Sequence, residues 1–96
     1  MQLNELFQII LDRQANPQPG SYTNQLLELG ENKILKKINE EATEVVVAAK
    51  AEGNPRLVEE VADLFYHTLV LLASRGLALS DVEAELQRRH GVRREQ

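Results

Sequence analysis

The fold is decided by residues 31–75, which read ENKILKKINEEATEVVVAAKAEGNPRLVEEVADLFYHTLVLLASR. Nothing in residues 31–52 breaks a helix, and an apolar stripe recurs along them at helical spacing. The stripe consists of Ile34, Ile38, Val45 and Ala49. Gly53, Asn54 and Pro55 then supply a helix terminator, an N-cap residue and a first-turn proline. The stretch therefore predicts two helices that fold back on one another at this turn.

The second helix of this hairpin, over about 55–75, is apolar on nearly every side. Its apolar residues are Leu57, Val58, Val61, Leu64, Phe65, Leu69, Val70 and Leu72. A helix with this pattern lies at the centre of a fold or in a subunit interface. Gly76 is expected to end it.

Shorter helices are predicted before the hairpin. Apolar residues at helical spacing indicate an amphipathic helix over the first dozen positions. Residues 15–22 contain two prolines and a glycine, which predict an irregular connection of the kind that commonly carries function. Residues 23–29 fit a short helical turn that ends at Gly30.

A final helix is predicted after the hairpin. Ser80 and Glu83 have capping-box spacing, and Val82 and Leu86 begin the inward face. Gly91 is expected to close this helix, and the tail over 91–96 is expected to fray. Because no strand-like alternation or internal repeat competes, the fold class is predicted to be an all-α antiparallel bundle of four to five helices.

Length and charge narrow the class of protein. The 96 residues fit one domain, 1–96, because two domains would each be too small for a core. Eleven basic residues against fifteen acidic ones give a net charge of −4, which would repel nucleic acid and anionic membranes. The same balance is typical of a protein that binds a cation.

Cysteine use and hydropathy exclude further classes. The chain has no cysteine, which excludes disulfides, thiolate zinc sites and thiol nucleophiles and favours a cytoplasmic location. The most apolar stretch, 64–73, is interrupted by Tyr66, His67 and Thr68 and falls short of the roughly 18 residues of a membrane span. No membrane role is expected.

Acidic residues occur in matched pairs on the two hairpin helices. Glu40, Glu41 and Glu44 form EExxE, and Glu60 and Asp63 form ExxD. Residues three apart point to the same side of a helix. Both pairs are centred about 9.5 residues from the turn, or about 14 Å along each axis, so an antiparallel hairpin brings them level. Four carboxylates are therefore predicted to converge.

The surroundings of these acids favour a metal site. Glu41 lies on the apolar stripe, and Glu60 and Asp63 lie within the most hydrophobic helix. Buried carboxylates without partners are costly, and an all-oxygen site suits Mg²⁺ or Mn²⁺ better than zinc or copper. The alternative is a set of solvated acids paired to Lys36 and Lys37, which describes most single ExxE motifs. Two matched pairs favour the metal.

Cationic side chains near the acids have two interpretations. Lys33 and Lys37 continue the acidic face toward the N-terminal end of the helix, where cations oppose the helix dipole. A polyphosphate beside the metal would explain them, and ordinary Lys–Glu pairing is the alternative. Arg88 and Arg89, with His90, Arg93 and Arg94 nearby, either hold phosphate or are solvated charges at a helix end, and solvation is favoured.

His67 also has two interpretations. It follows Asp63 by four positions, so it borders the acidic face and is a candidate substrate contact. An interior or interface histidine is the commoner role at such a position, and the same holds for Tyr66.

Several short motifs occur together along residues 20–90. They are EExxE at 40–44 followed by ExxD at 60–63, GSYT at 20–23, KILKK at 33–37, EEATE at 40–44, ADLFYH at 62–67 and RRH at 88–90. In this combination the chain resembles the phosphoribosyl-ATP pyrophosphatases of histidine biosynthesis, within the MazG-like all-α nucleoside triphosphate pyrophosphohydrolases. Asn39 stands where the family usually has glycine, which leaves the metal motif intact.

The resemblance implies an activity. It is Mg²⁺-dependent hydrolysis of 1-(5-phospho-β-D-ribosyl)-ATP between the α and β phosphates, giving the AMP adduct and pyrophosphate, with Mn²⁺ as a possible substitute. The implied metal ligands are Glu41, Glu44, Glu60 and Asp63. The implied catalytic residues are Glu40, Glu41 and Glu44, of which Glu40 orients or deprotonates water.

The resemblance also implies substrate contacts and an assembly. Phosphates would be bound by Lys33, Lys36 and Lys37, and the nucleotide by Ser21, Tyr22 and Thr23. Family members of this type are homodimers, which fits a helix that is apolar all round. Some relatives are fused to a zinc-dependent cyclohydrolase, but 96 residues without cysteine lead us to expect the stand-alone enzyme.

Three rival functions compete with this one. A house-cleaning pyrophosphohydrolase of (d)NTPs would use the same carboxylates, and only the GSYT, ADLFYH and RRH motifs favour the histidine pathway. A non-enzymatic helical dimerisation module would explain the apolar helix but not the acids within it. A ferritin-like di-iron protein is discounted because its Glu-x-x-His pairs are absent.

Overall fold

The computed structural model describes residues 1–93, and this part of the chain contains helices and no strand. The helices are α1 (Leu3–Ala15), α2 (Tyr22–Leu29), α3 (Glu31–Val47), α4 (Asn54–Ser74) and α5 (Leu79–Arg93), with a π-helical segment, Ala48–Glu52, that continues α3. The predicted all-α bundle is confirmed. Arg94 and the rest of the predicted tail beyond residue 93 lie outside the described residues.

The hairpin of α3 and α4 turns at Gly53. The backbone N–H of Gly53 donates to the carbonyl of Ala48 at 3.1 Å and closes the π-helical segment. Gly53 has a φ of +88°, a left-handed conformation that glycine adopts without steric cost, and it is also the N-cap of α4. The prediction that Asn54 is the N-cap is therefore wrong. The chain reverses at Gly53 itself, so Asn54 already has helical geometry and is the first residue of α4.

The inward face of α3 differs from the predicted stripe at one position. Ile34 is fully buried and Ile38 packs against the core, as predicted. Ala48 is buried instead of Ala49, which is exposed. At 3.6 residues per turn, position 48 is rotated less than position 49 from the direction of Ile34 around the helix axis. Ala48 therefore faces the core.

The core is formed by the first four helices. Each supplies one fully buried aliphatic side chain, and these are Ile10 of α1, Leu26 of α2, Ile34 of α3 and Val70 of α4. Removing such a side chain from water contributes about 1.5–3 kcal/mol. Because α4 packs against α1, α2 and α3, its predicted central position is confirmed.

The last helix contributes little to this core. Among residues 79–91 of α5, only Leu79 packs against the core, and Val82 and Leu86 are exposed. The predicted inward face of α5 is therefore absent from the single chain. Among residues 1–93, no helix is long and apolar enough to cross a membrane.

Both ends predicted for α5 are also wrong. The helix begins at Leu79, and Asp81 accepts from the backbone N–H of Ala78 at 2.8 Å, so Ser80 is not the cap. Gly91 lies inside α5 and does not have a positive φ. A glycine within a helix costs only about 1 kcal/mol and ends it only where the backbone reverses, which does not happen here.

Candidate active site

Three acidic side chains converge where α3 packs against α4. The carboxylate oxygens of Glu41, Glu60 and Asp63 lie within 4.8 Å of one another. Glu60 is buried, Glu41 is largely covered and Asp63 is exposed, so the group opens to solvent on the Asp63 side. Glu44, one turn beyond Glu41, is exposed and stands outside this group of three.

Two cations border the three carboxylates on opposite helices. Lys37 Nζ of α3 lies 3.6 Å from Glu41 Oε1 and 3.4 Å from Glu40 Oε2. Arg56 Nη2 of α4 lies 2.5 Å from Glu60 Oε1. Asp63 has no such partner among the residues the structure describes. The group of three negative charges is therefore only partly neutralised by protein cations.

Sequence reasoning did not select Arg56. The signal was present, because Arg56 precedes Glu60 by four residues and such pairs are neighbours on a helix. The guanidinium also donates to Glu59 from Nη1 at 2.6 Å, so Arg56 links an exposed acid to a buried one.

The electrostatics of Glu41 reflect this crowding. Burial, then the hydrogen bond with Glu60 and the negative charge of Asp63, hold the pKa of Glu41 above its usual value. Lys37 opposes these effects without reversing them. The charged form of such a carboxylate is strongly stabilised when a cation binds beside it.

The lysine beside the acids stays charged. Burial acts to lower the pKa of Lys37, but its hydrogen bond to Glu40 and the nearby phenol of Tyr22 leave the pKa above its usual value. Lys37 is thus a fixed positive charge at the edge of the three carboxylates. Of the other predicted phosphate contacts on α3, Lys33 is half-buried and Lys36 is exposed.

The predicted nucleotide loop lies against α4 close to the acids. Ser21 caps α2 by accepting from the backbone N–H of Asn24 at 3.2 Å. Tyr22 Oη is hydrogen-bonded to His67 Nε2 at 2.9 Å, and the hydroxyl of Thr23 is hydrogen-bonded to that of Tyr66. The structure therefore brings the GSYT and ADLFYH segments into contact.

Three predicted substrate contacts, His67, Arg88 and Arg89, have hydrogen-bond partners within the protein. His67 is buried and both ring nitrogens have partners, which is the interior role that the sequence also allowed. Arg88 and Arg89 donate to Glu85 of the same helix, at 2.9 and 2.8 Å from their Nε atoms. These arginines have the local pairing expected of solvated charges at a helix end.

Comparison with known proteins identifies the family. A model of the phosphoribosyl-ATP pyrophosphohydrolase family matches residues 3–90. The chain belongs to this family. The family indicated by the short motifs is thereby confirmed, and the match also covers α1, which precedes the first motif.

Individual relatives agree with the family assignment. The chain is 56% identical over 89 residues to a phosphoribosyl-ATP pyrophosphatase of Listeria welshimeri, covering 93% of this chain and 85% of the relative. It is 58% identical over 87 residues to one of Pelotomaculum thermopropionicum, covering 91% and 89%. It is also 58% identical over 87 residues to the histidine biosynthesis bifunctional protein HisIE of Gloeobacter violaceus, covering 91% of this chain and 39% of that protein.

Proposed function

We propose that this chain is a Mg²⁺-dependent phosphoribosyl-ATP pyrophosphohydrolase of histidine biosynthesis. It hydrolyses 1-(5-phospho-β-D-ribosyl)-ATP between the α and β phosphates, and the products are the AMP adduct and pyrophosphate. The observation that carries the proposal is the convergence of Glu41, Glu60 and Asp63 in a chain whose residues 3–90 match this family.

The donor set fits a hard divalent cation. All three groups offer carboxylate oxygens, and two of the three are shielded from water. Burial, and then the neighbouring Glu60 and Asp63, raise the pKa of Glu41. Glu41, Glu60 and Asp63 would hold Mg²⁺, with Glu44 as the fourth ligand and Mn²⁺ as a substitute. Bound Mg²⁺ supplies charge neutralisation for the polyphosphate and its leaving group.

Residues of the chain itself bind the phosphates and contact the attacking water in this proposal. Lys37 binds a phosphate oxygen through its fixed charge, and Lys33 and Lys36 on the same helix extend this positive strip. Glu40 is an exposed carboxylate 3.4 Å from Lys37 Nζ, and in this proposal it orients the attacking water or accepts a proton from it. The water oxygen bonds to the α or the β phosphorus as the bond from that phosphorus to the bridging oxygen breaks. The bridging oxygen leaves with the other product, which is pyrophosphate or the AMP adduct respectively.

The active form is a homodimer in this proposal. A groove of about 290 Å³ between α1, α4 and α5 is lined almost wholly by apolar side chains, including Phe65, Leu72 and Val82. Phe65 is 48% exposed on the central helix, which is a large exposure for a phenylalanine. A second copy covering this face would double the 10.9 kDa mass in sedimentation equilibrium, and Phe65→Asp would return the protein to a monomer.

Two further expectations stay predictions. The first is a cytoplasmic location. The second is activity independent of a zinc-dependent cyclohydrolase. Arg88 and Arg89 also remain predicted phosphate contacts only through the RRH motif, because the structure pairs both with Glu85.

The deciding experiment measures the first phosphate product. The purified protein is given phosphoribosyl-ATP with Mg²⁺, and pyrophosphate and orthophosphate are quantified separately, with EDTA as the metal-free control. We expect pyrophosphate, stoichiometric with the AMP adduct, only when the metal is present. Orthophosphate as the first product would contradict the proposal.

A substrate comparison separates the house-cleaning alternative. The same enzyme preparation is assayed with phosphoribosyl-ATP, dUTP and dCTP at equal concentrations. We expect kcat/KM to be highest for phosphoribosyl-ATP. Faster turnover of dUTP or dCTP would assign the same carboxylates to a nucleotide pool function.

A further inference from the structure

The hydrogen bonds of His67 define which ring nitrogen carries the hydrogen. His67 is 4% exposed, and its Nδ1 lies 2.7 Å from the backbone carbonyl oxygen of Asp63. A carbonyl oxygen only accepts, so Nδ1 must donate. In the neutral ring Nε2 is then an acceptor, and its partner at 2.9 Å is the hydroxyl of Tyr22. To a neutral His67, Tyr22 therefore donates its only hydrogen.

This arrangement leaves the Tyr22 oxygen with lone pairs only. Tyr22 is the first residue of α2 and is 45% exposed, so its ring reaches from the buried His67 toward solvent. Its hydroxyl is bonded to the ring of His67, and Nδ1 of that ring is bonded in turn to the backbone carbonyl of Asp63, one of the three converging acids. The phenol is therefore linked through one ring to the turn of α4 that carries Asp63, at the edge of the proposed substrate site.

We infer that His67 is a positioning residue that acts through Tyr22 by holding the phenol hydrogen inward and leaving its oxygen as an acceptor beside the substrate. The inference rests on the proposed function. Ionised phosphates offer acceptors only, so an acceptor-only Tyr22 does not bind them. Tyr22 instead accepts from a hydroxyl or amino group of the nucleoside part, while Lys37 binds the phosphates.

The neighbouring hydrogen bond supplies a matched control. The hydroxyls of Thr23 and Tyr66 join α2 to α4 next to the Tyr22–His67 bond. The rings of Tyr66 and His67 are also in contact, with centroids 5.1 Å apart. If the Tyr22–His67 bond served only to attach α2 to α4, then Tyr66→Phe would have the same effects as Tyr22→Phe.

The first test compares substitutions by kinetics. Tyr22→Phe should raise KM for phosphoribosyl-ATP about three- to tenfold, the size of one neutral hydrogen bond, with a smaller change in kcat. His67→Asn can keep the bond to the Asp63 carbonyl but loses the acceptor, so it should raise KM as much. His67→Gln places an amide oxygen near the former Nε2 position and should restore part of the loss. Tyr66→Phe should leave KM unchanged.

Non-additivity gives the second test. If His67 acts through Tyr22, the double variant Tyr22→Phe, His67→Asn should have the KM of Tyr22→Phe alone. Multiplied effects in the double variant, or an equal KM increase in Tyr66→Phe, would overturn the inference. Tyr22 is exposed on one side, so loss of its hydroxyl should not prevent folding and thermal melts can verify this.

Inhibition and magnetic resonance separate this inference from the proposed function. Tyr22→Phe should weaken inhibition by adenosine monophosphate and leave inhibition by inorganic pyrophosphate unchanged, and the reverse pattern would overturn the acceptor role. In the substrate-free protein, ¹⁵N spectra of the His67 ring should show hydrogen on Nδ1 and none on Nε2. An inactive parent protein with this tautomer would refute the proposed function alone, whereas hydrogen found only on Nε2 would refute the inference in an active enzyme.

Discussion

Glutamates in two regions of this molecule have opposite electrostatic environments. Glu85 on α5 accepts from Arg88 and Arg89 of the same helix, and these hydrogen bonds lower the pKa of Glu85 to about 2. Glu41 on α3 faces Glu60 and Asp63 of another helix, and burial with these neighbours raises its pKa. The residue type is the same, and the partners decide the direction of the shift.

The difference separates charges that any helix would pair from charges that only this fold brings together. The partners of Glu85 lie three and four residues away, so an isolated α5 would form the same pairs. Glu41 meets Glu60 and Asp63 only after α3 and α4 have packed. Folding that collects like charges is unfavourable unless a ligand compensates for it, so the hairpin region is where we expect function.

The largest expected effect follows from removing one charge of the three-carboxylate group. Asp63→Asn keeps nearly the same shape, so the metal-free protein should be as stable as the parent or more stable. Activity and most of the stabilisation by Mg²⁺ should be lost. For the parent, a ligand at one hundred times its dissociation constant adds about 2.7 kcal/mol, which thermal melts with EDTA and with excess Mg²⁺ will report.

Substitution of another acid on the same helix, Glu59, is the control for this experiment. Glu59 is exposed and pairs with Arg56, outside the group of three. Glu59→Gln should keep both the stabilisation by Mg²⁺ and the activity. If Asp63→Asn also keeps both, then Asp63 is not a ligand and the two regions do not differ in function.

The next largest effect concerns the lysine at the edge of the acids. Lys37→Ala should raise KM about tenfold or more, because charge-assisted hydrogen bonds to phosphate are roughly twice as strong as neutral ones. Its ion pairs are partly exposed, at 3.4 and 3.6 Å, and should contribute little to folding. Lys50→Ala, an exposed lysine beyond α3, is the control. A marked fall in melting temperature with unchanged KM would assign Lys37 to structure.

A smaller effect should appear in the pH dependence of stability without metal. The folded-state pKa of Glu41 is raised above its ordinary value of 4.5, so the folded protein binds the proton more tightly than the unfolded chain. This contribution to stability is complete below pH 4.5 and is lost as the pH rises through the folded-state pKa. A tenfold difference in proton affinity between the folded and unfolded states corresponds to about 1.4 kcal/mol of stability.

Melts in EDTA between about pH 4 and pH 7 will check this sign, since they span the range in which the raised pKa of Glu41 acts. Glu41→Gln removes the titration, so the melting temperature of the variant should rise relative to that of the parent as the pH increases. A constant difference across this range would show that the pKa of Glu41 is not raised.

Much of the hairpin could be predicted from the sequence because its signals are local. The Gly53 turn fixes the register of α3 against α4, and the spacing of EExxE and ExxD then places three of the predicted acids together. The identity of the buried alanine and the ends of α5 were not predictable with the same certainty. For the alanine, positions 48 and 49 both lie near the direction of Ile34, and only Ala48 is buried. For α5, the local signals at Ser80 and Gly91 did not decide the ends, because Asp81 binds the backbone N–H of Ala78 and the helix continues through Gly91.

The contacts around Tyr22 could not be predicted from the sequence, for a different reason. Tyr22 and His67 are 45 positions apart, and their bond depends on how α2 lies on α4. No periodicity along either helix contains that information. The motifs GSYT and ADLFYH marked both segments as important, but only the fold shows that one residue of each shares a hydrogen bond.

The smallest effect is expected on α5. Glu85→Gln should change the melting temperature at neutral pH by no more than about 2 °C, because exposed ion pairs within one helix contribute little. The pKa of Glu85 is lowered to about 2, so whatever the carboxylate contributes is present above its ordinary value of 4.5 and is lost as the pH falls toward 2. The small difference between variant and parent should therefore vanish in acid. KM for phosphoribosyl-ATP should stay unchanged in the variant, since Glu85 only pairs charges that water would otherwise solvate. A lower KM would mean that Arg88 and Arg89, once released from Glu85, bind the substrate, and α5 would then belong with the hairpin as a functional region.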